Sequence, residues 1–507
     1  MKYRISMASL CVASMLFLST PSWSADIVFL TFDPPGVGFN DNTPVPPSEI
    51  GIGGNPGTTV GEQRRFVYEY ATNLWGQSLE SDVTIFVLGQ FAPQPCSPTG
   101  GVLGSAGPTR VYADVDGGIF PKGFTWYTNA LADALAGFDL SPGIFDIVST
   151  FNSSIDDDPQ CLTGATWYYG IDHNNPVEDI DFLSVVTHEI NHGLGFLELI
   201  SESTGEVFFG LPDIYSTFMF DLTIGKKWDE MTDAERLFST SNTDNLVWYG
   251  DQVSAEAATY LGPKPALIID DPDELEGKYE AQPASFGPPI GTGDDDDDDY
   301  EVRLVNDGQD TLANGNPGSV TDACESIPRR KARKLRGKYA LIDRGGCAFT
   351  VKVANVQAAG AKGAIVANNQ PTGRAPMGGS DPNITIPSVG ISMALGDAIK
   401  AALNGDDDDV EVSFGFNRRE LAGTSQGLVR LYAPAVITPG SSKSHWDTSA
   451  SPNLLMEPAI NDDLTPGQDL DLSPALLHDI GWTLLNPPRN PPDLGGPGGE
   501  DDDSDDD

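Results

Sequence analysis

The amino-acid sequence predicts an α+β chain in which one domain is interrupted by an inserted α/β domain. Three patterns predict this arrangement: a helical pattern begins at Asp181, a strand–helix–strand unit lies within residues 339–369, and a compact pattern resumes after residue 425. The 507 residues are enough for two or three domains, and the apolar content of 39% can build a sizeable core.

The charge balance excludes some classes of partner. The chain has 74 acidic and 29 basic residues, which gives a formal net charge of −45. Such a chain repels nucleic acid and anionic membranes, so we expect neither as a partner. We expect instead a monomer in an extracellular or salty medium, whose partners are protein or peptide substrates.

Residues 1–24 have the order of a secretory signal peptide: a basic start, an apolar run from Ile5 to about Leu18, and small residues in P-S-W-S-A. Cleavage is expected after Ser24 or Ala25, which makes the mature protein secreted, either extracellular or periplasmic. The alternative is a retained membrane anchor, which the short apolar run disfavours.

Cysteine usage fits an exported chain. Four cysteines remain after removal of the signal peptide, and an even number favours two disulfides. The pairs Cys96–Cys161 and Cys324–Cys347 are favoured, because each falls within one predicted domain. The two other ways of pairing these cysteines stay open.

Residues 25–262 are predicted to form the first part of the interrupted domain. Thr59 can cap a helix, and Glu62 three residues later completes a capping box. Strands are predicted at residues 83–88 and 145–152 from their apolar patterns.

Two further helices are predicted in this part. One lies near residues 125–135. The other has Asp181 as its N-cap, runs through His192 and ends near Gly193 or Gly195, because glycine accepts the backbone conformation that closes a helix.

Residues 263–424 are predicted to be the inserted domain. Within it, the strand 339–344, the helix 349–361 and a second strand from Lys362 form one unit, for which parallel pairing with a right-handed crossover is expected. Residues 425–487 then complete the interrupted domain and contain a short helix at residues 472–482.

Runs of acidic residues occur in the insertion and at the end of the chain. The aspartate runs 294–299 and 406–409 could bind calcium, but they lack the glycines and spaced carboxylates of a dedicated calcium loop. Solvated loops are the favoured interpretation, and Ca2+ stays open as a cofactor. Residues 488–507 are predicted to be a disordered acidic tail, because they have too few apolar residues to offset the entropy of ordering.

The stretch T-H-E-I-N-H-G-L-G-F, residues 187–196, predicts a zinc site. His188 and His192 are four residues apart on the predicted helix, so both imidazoles project from one face and can reach a single ion. Glu189 lies beside them, where a carboxylate can act as general base toward a water that zinc activates. The plainer alternative is a pair of surface histidines on an amphipathic helix.

A catalytic zinc normally has three protein ligands, so one ligand must come from elsewhere. Glu198 lies where a compact motif would place its last histidine, and a carboxylate can ligate zinc. His445 is the favoured candidate because of the residues around it: it lies in S-H-W and is followed by L-M-E-P. His173 and His478 are expected to have structural roles.

Four separated elements resemble the leishmanolysin-like branch of the metzincins: H-E-x-x-H-x-x-G-F, a long insertion, S-H-W and L-M-E-P. The resemblance implies a metzincin-type zinc metallopeptidase domain, with a twisted mixed sheet and an active-site helix. It also implies His188, His192 and His445 as zinc ligands, Glu189 as general base and Met456 as the Met-turn.

The chain departs from that family in one respect. The gap between His192 and His445 is longer than usual there, and the inserted domain explains the extra length, since loop closure costs little for long insertions. The strand ending at residues 149–154 resembles the edge strand that pairs with the substrate backbone.

The insertion is similar to the protease-associated (PA) domain, through Y-A-L-I-D-R-G-G-C-A-F-T and the later I-P-S-V-G-I-S-M-A-L-G-D. This resemblance implies a domain that binds substrate or covers the active site without catalysing the reaction. A passive spacer is the alternative.

The predicted function is a secreted zinc-dependent endopeptidase that hydrolyses peptide bonds, with Zn2+ as cofactor and Glu189 as base. The alternative is a catalytically inactive binding protein that keeps the fold and uses the PA domain to hold partners. An intact Glu189 argues against that alternative, because an inactive site does not need the carboxylate. A hydrolase without zinc is disfavoured, since the cysteines are better used as disulfides than as nucleophiles.

Overall fold

The computed structural model describes residues 24–115, 117–176, 179–291, 299–404, 409–461 and 463–485. The predicted signal peptide up to residue 23, the predicted acidic tail and most of the two aspartate runs lie outside these residues. No helix within the described ranges combines the length and the apolar character that a membrane span needs.

Helices and strands mix along the chain, which confirms the predicted α+β class. The α-helices of the described residues are α1 (Val60–Ser78), α2 (Asn129–Ala136), α3 (Ser154–Asp157), α4 (Phe182–Leu194), α5 (Asp233–Ser239), α6 (Asp251–Tyr260), α7 (Arg329–Leu335), α8 (Phe349–Ala359), α9 (Met393–Ala402) and α10 (Ser473–Ile480). The strands before the insertion are β1 (Ile27–Leu30), β2 (Leu79–Glu80), β3 (Ile85–Ala92), β4 (Cys96–Ser97), β5 (Gly100–Gly101), β6 (Gly104–Pro108), β7 (Val111–Ala113), β8 (Trp126–Thr128), β9 (Ile147–Asn152), β10 (Trp167–Tyr168), β11 (Ile180–Asp181), β12 (Met219–Asp221), β13 (Lys226–Lys227) and β14 (Leu246–Trp248). The later strands are β15 (Pro263–Asp271), β16 (Gly277–Glu280), β17 (Gln282–Pro283), β18 (Tyr300–Leu304), β19 (Tyr339–Asp343), β20 (Gly363–Ala367), β21 (Ser388–Ile391), β22 (Glu411–Leu421), β23 (Thr424–Ser425), β24 (Leu428–Val429) and β25 (Thr483–Leu484).

The first sheet has four strands in the order β1-β3-β9-β6. β1, β3 and β9 run parallel, and β6 lies antiparallel to β9 at the edge. The prediction that the strand ending at 149–154 is an edge strand is therefore wrong, because β9 has a neighbour on each side. The edge belongs to β6, whose sequence G-S-A-G-P lacks the β-branched and aromatic residues that predict a strand.

Helices α1 and α4 pack against each other and against this sheet. The predicted capping box of α1 is confirmed: Glu62 N donates to Thr59 Oγ1 (3.2 Å), and Thr59 N donates to Glu62 Oε2 (3.2 Å). Trp75 is fully buried and its Nε1 donates to Thr187 O (3.0 Å), which ties α1 to α4 beside the histidine motif. The helix predicted near residues 125–135 begins later than expected, because β8 pairs with β7 first.

The insertion forms an eight-stranded sheet in the order β16-β15-β22-β18-β19-β20-β21-β17. β18 to β21 are parallel neighbours, and α8 connects β19 to β20, so the predicted parallel strand–helix–strand unit is confirmed. Leu341 lies in one apolar core, whereas Ala340 and Ile342 lie in another. The two faces of this sheet are therefore both covered, as a parallel sheet requires.

The two ends of the insertion lie side by side. β15 pairs antiparallel with β22, and Pro263 is opposite Leu421. The chain after the insertion rejoins the first core, to which Val429, Trp446 and Leu484 belong. The insertion therefore separates residues widely in sequence without separating them in space.

Both favoured disulfides, Cys96–Cys161 and Cys324–Cys347, are confirmed. The first lies before the insertion, and the second lies within it. Cross-links of this kind restrict the unfolded chain and so stabilise the folded state.

Candidate metal centre

Helix α4 carries the two histidines of the sequence motif. Its N-cap is Asp181, whose carboxylate accepts hydrogen bonds from Leu183 N (3.1 Å) and Ser184 Oγ (2.8 Å). The helix ends at Gly195, which has a φ of +137° and where a Cβ would lie 2.5 Å from Ile480 Cδ1. The predicted N-cap and glycine stop are confirmed, so local chemistry sets both ends of the helix.

His445 reaches the same place on a loop that follows the insertion. Tyr432 N donates to His445 O (2.8 Å), and Lys443 N donates to Tyr432 O (2.8 Å). The buried ammonium group of Lys443 lies 2.8 Å from Glu198 Oε1 and donates to Ile200 O (3.0 Å). The loop is therefore held against the chain segment that follows α4.

Three imidazole nitrogens converge. His188 Nε2 lies 3.1 Å from His192 Nε2 and 3.2 Å from His445 Nε2. Two nitrogens bound to one tetrahedral zinc, at about 2.0–2.1 Å each, would be about 3.3 Å apart. The spacing of these nitrogens therefore fits a shared ion.

The second nitrogen of each ring donates to a main-chain carbonyl. The pairs are His188 Nδ1 with Leu455 O (2.7 Å), His192 Nδ1 with Phe196 O (2.7 Å) and His445 Nδ1 with Ser441 O (2.8 Å). Each Nδ1 therefore carries the proton, and each Nε2 directs a lone pair toward the other two rings. Three facing lone pairs repel one another, and a cation between them would turn that repulsion into attraction.

Burial keeps these imidazoles neutral. It lowers the pKa of His188 to about 3 and the pKa of His192 to about 4, and it holds the pKa of His445 well below its usual value. The neighbouring rings add to the effect at His188 and His445. Neutral imidazole is the form that ligates metals, so the three side chains are ready to bind at neutral pH.

Glu189 lies next to the histidines with one oxygen unpaired. Its Oε2 is buried and, within the described part of the chain, has no hydrogen-bond partner. Burial raises the pKa of Glu189 to about 8, and a hydrogen bond from Ala106 N on β6 opposes that shift. Gly104, on the same strand, is so close that a Cβ there would lie 3.1 Å from Glu189 Oε1. The carboxyl group therefore adjoins the edge strand and has an oxygen free for a water molecule.

The turn at Leu455 and Met456 contacts both segments that carry the histidines. Leu455 O accepts from His188, and Met456 O accepts from Trp446 N (2.8 Å), next to His445. Met456 itself is fully buried. The turn thus links α4 to the His445 loop through main-chain atoms.

Glu198, the rival third ligand, does not join the histidines. Its carboxylate pairs with Lys443, and the histidine group within 4.8 Å contains only His188, His192 and His445 among the described residues. His173 Nδ1 lies 2.6 Å from Asp181 Oδ2, so that histidine supports the helix cap. Sequence reasoning missed Lys443, because a single lysine near a histidine forms no motif.

The chain contains a PA domain: that family matches residues 303–399. Vacuolar-sorting receptor 2 of Arabidopsis thaliana is 30% identical over 167 residues, which are 31% of this chain and 25% of that protein. A PRADC1-like protein of Drosophila melanogaster is 37% identical over 108 residues, which are 20% of this chain and 44% of that protein. The chain therefore spans less than half the length of these curated relatives.

Solved structures give weaker similarities. BSAP, a zinc aminopeptidase from Bacillus subtilis, has a TM-score of 0.22 and 19% identity, and the match covers 31% of each chain. The subtilisin-like protease Apa1 from Pseudoalteromonas sp. AS-11 has a TM-score of 0.20 and 21% identity, over 31% of this chain and 34% of that one. Scores this low carry no argument about fold or activity.

The assignment to the leishmanolysin-like metzincins is wrong. The family whose model matches is the PA domain, and the similar curated proteins include sorting receptors and a PRADC1-like protein. The metzincin-type fold and the Met-turn role of Met456 lose their support with it, since short motifs recur in unrelated proteins. The predicted PA domain is confirmed, and the metal hypothesis now rests on the geometry of the three histidines.

Proposed function

We propose that this protein is a zinc-dependent peptidase in which His188, His192 and His445 bind the metal and Glu189 is the general base. The observation that carries the proposal is the convergence of three Nε2 atoms whose partner nitrogens are all hydrogen-bonded to carbonyls. Three protein ligands with an open fourth position are typical of catalytic zinc.

The roles of the side chains follow from their positions. Zinc at this centre would polarise a substrate carbonyl and make a water molecule more acidic. Glu189 would take a proton from that water through its unpaired Oε2 and deliver it to the leaving amine. The outer edge of β6 lies beside Glu189 and can pair with an extended peptide. The proposed substrate is therefore a peptide or protein in extended form.

We further propose that residues 25–262 and 425–487 form the catalytic domain and that residues 263–424 form the insertion. The disulfides Cys96–Cys161 and Cys324–Cys347 fit an oxidising compartment outside the cytoplasm. A secreted enzyme acting as a monomer is the corresponding proposal for location and assembly.

A second candidate function is protein binding by the insertion. The PA match and the similarity to sorting receptors support it. The insertion borders a cleft of about 810 Å³ that Gln282, Arg374 and Tyr432 help to line, and the three histidines lie outside that lining. Binding there would not depend on zinc, so the two candidates can be separated.

Zinc content and casein cleavage test the peptidase proposal. Glu189→Gln should keep zinc and lose at least about 100-fold in cleavage rate, because the general base is gone. His445→Ala should lose zinc and cleavage together, whereas His478→Ala, a histidine outside the centre, should change neither. Undiminished cleavage by Glu189→Gln would overturn the enzyme, and full zinc content in His445→Ala would overturn the ligand set.

A further inference from the structure

Three carboxylates of the insertion lie together, away from the histidines. Side-chain oxygens of Asp307, Asp322 and Glu325 lie within 4.8 Å of one another. Asp307 and Asp322 are 1% and 3% exposed, and Glu325 is partly buried. Like charges at this depth and distance repel strongly unless a cation or a shared proton lies between them.

One carboxylate oxygen of the group has no partner. Asp307 Oδ1 accepts from Gln309 N (3.0 Å), but Oδ2 is buried and has no hydrogen-bond partner among the residues that the structure describes. The two oxygens of Asp322 accept from Ser319 N (2.8 Å) and Cys324 N (2.9 Å), which orients that carboxylate. A buried unpaired oxygen is costly in a folded protein, and a metal ion would satisfy it.

The neighbouring lysine does not neutralise the group. Lys352 is fully buried, and its Nζ donates to Asp322 O (2.6 Å), Cys324 Sγ (3.4 Å) and Gly345 O. These acceptors use all three N–H groups of the ammonium, so none remains for a carboxylate oxygen. With all three carboxylates ionised, the single ammonium leaves an excess of two negative charges, which a divalent cation would balance.

We propose that Asp307, Asp322 and Glu325 bind a calcium ion. Calcium prefers oxygen ligands, takes about six to eight of them and tolerates irregular geometry, whereas magnesium demands a near-ideal octahedron. The three carboxylates can supply up to six oxygens, and water completes the shell. The ion would join the segment at Asp307 to the disulfide-bonded segment at Cys324. The proposal does not depend on the zinc centre or on the aspartate runs.

Thermal unfolding and calorimetric titration of the metal-free full-length chain test this site, with CaCl2 up to about 10 mM. The variants are Asp307→Asn and Glu325→Gln, and the matched control is Glu274→Gln, an exposed acid elsewhere in the insertion. Calcium should raise Tm in the wild type and in the control. Both site variants should bind calcium at least about tenfold more weakly, since each loses a charged ligand.

The stability difference between Asp307→Asn and the wild type should change sign when calcium is added, which separates metal binding from a merely structural role. Without calcium, Asp307→Asn should be at least as stable as the wild type, because it removes an unpaired buried charge; with calcium it should be less stable. An equal Tm rise in all four proteins, or the same rise with MgCl2 or NaCl at matched ionic strength, would mean general screening of an acidic surface and overturn the proposal. If Asp307→Asn does not fold, Glu325→Gln decides the outcome alone, because its side chain is only partly buried.

Discussion

Helix α4 and the loop around His445 bring ligands to one centre by different means. On α4, the spacing of His188 and His192 is a property of any regular helix, and the caps that bound it lie within a few residues. His445 depends on contacts that cross hundreds of residues, such as Lys443 Nζ with Ile200 O and His445 Nε2 with His188 Nε2. The spacing of the two helical ligands therefore follows from the helix itself, whereas the position of His445 depends on the complete fold.

The loop side of the centre is more sensitive to substitution than the helix side. Changes at the end of the helix act through backbone strain and steric contact, and backbone strain costs about 1–3 kcal/mol per residue. Loss of Lys443 on the loop side leaves the buried carboxylate of Glu198 without its partner, which reduces the free energy of unfolding by more. Three substitutions rank these effects.

The largest effect is expected from Lys443→Met. This change leaves Glu198 buried without its cation and should reduce the free energy of unfolding by about 3–5 kcal/mol. Zinc affinity should fall by about 10–100-fold, because the loop that presents His445 loses its anchor. Urea denaturation and zinc titration measure the two effects.

The control for that substitution is Lys226→Met, which removes a solvent-exposed partner of Glu235. Its lysine side chain is 43% exposed, so the loss should stay below about 1 kcal/mol. Equal losses in the two variants would show that the buried pair does not hold the His445 loop.

A smaller effect is expected on the helix side from Gly195→Ala. The position has a φ of +137° and a Cβ would collide with Ile480, so stability should fall by about 2–3 kcal/mol. Gly137→Ala is the matched control, because Gly137 has a φ of +75° with open space around its Cβ, and about 1–2 kcal/mol is expected there. Denaturant midpoints measure both, and a loss at Gly195 no greater than at Gly137 would remove the contact with Ile480 from the explanation.

The smallest effect concerns pH and Asp213, which accepts from Leu199 N and Ser216 N behind α4. Burial raises the pKa of Asp213 above its ordinary value of about 4, against those hydrogen bonds. Just above pH 4 the folded chain therefore holds a proton that the unfolded chain has released, so the free energy of unfolding falls as pH rises through that window.

Asp213→Asn cannot titrate and should lose this part of the pH dependence. Its free energy of unfolding relative to the wild type should therefore rise from pH 4 upward, as unfolding curves at several pH values would reveal. A constant difference between the two proteins across that range would contradict the raised pKa.

The sequence predicts structural features correctly where their causes are local. Thr59 and Glu62 form their capping box, and Gly195 ends α4, because each depends on backbone geometry within a few residues. The strand–helix–strand unit of the PA domain was predictable for the same reason. The order of strands in a sheet is not local, so β9 was mistaken for an edge strand and β6 was missed.

The family resemblance failed for a related reason. The H-E-x-x-H motif and the later L-M-E-P are short, and short patterns identify a chemistry more reliably than a family. The long PA pattern, in contrast, was confirmed over residues 303–399. The longer pattern, that of the PA domain, was confirmed, whereas the shorter motifs did not identify a family, although their chemistry is more specific.

By itself the sequence determined that His188 and His192 share one helix face, with Glu189 next to them, and that the chain contains a parallel strand–helix–strand unit, because helix spacing and strand periodicity act between near neighbours. Only the tertiary structure decided that His445, and not Glu198, stands beside them. That outcome requires β15 to pair with β22, which closes the insertion, and Lys443 to hold Glu198 away from the histidines. Both contacts join residues far apart in the chain, and their geometry exists only once the whole fold has formed.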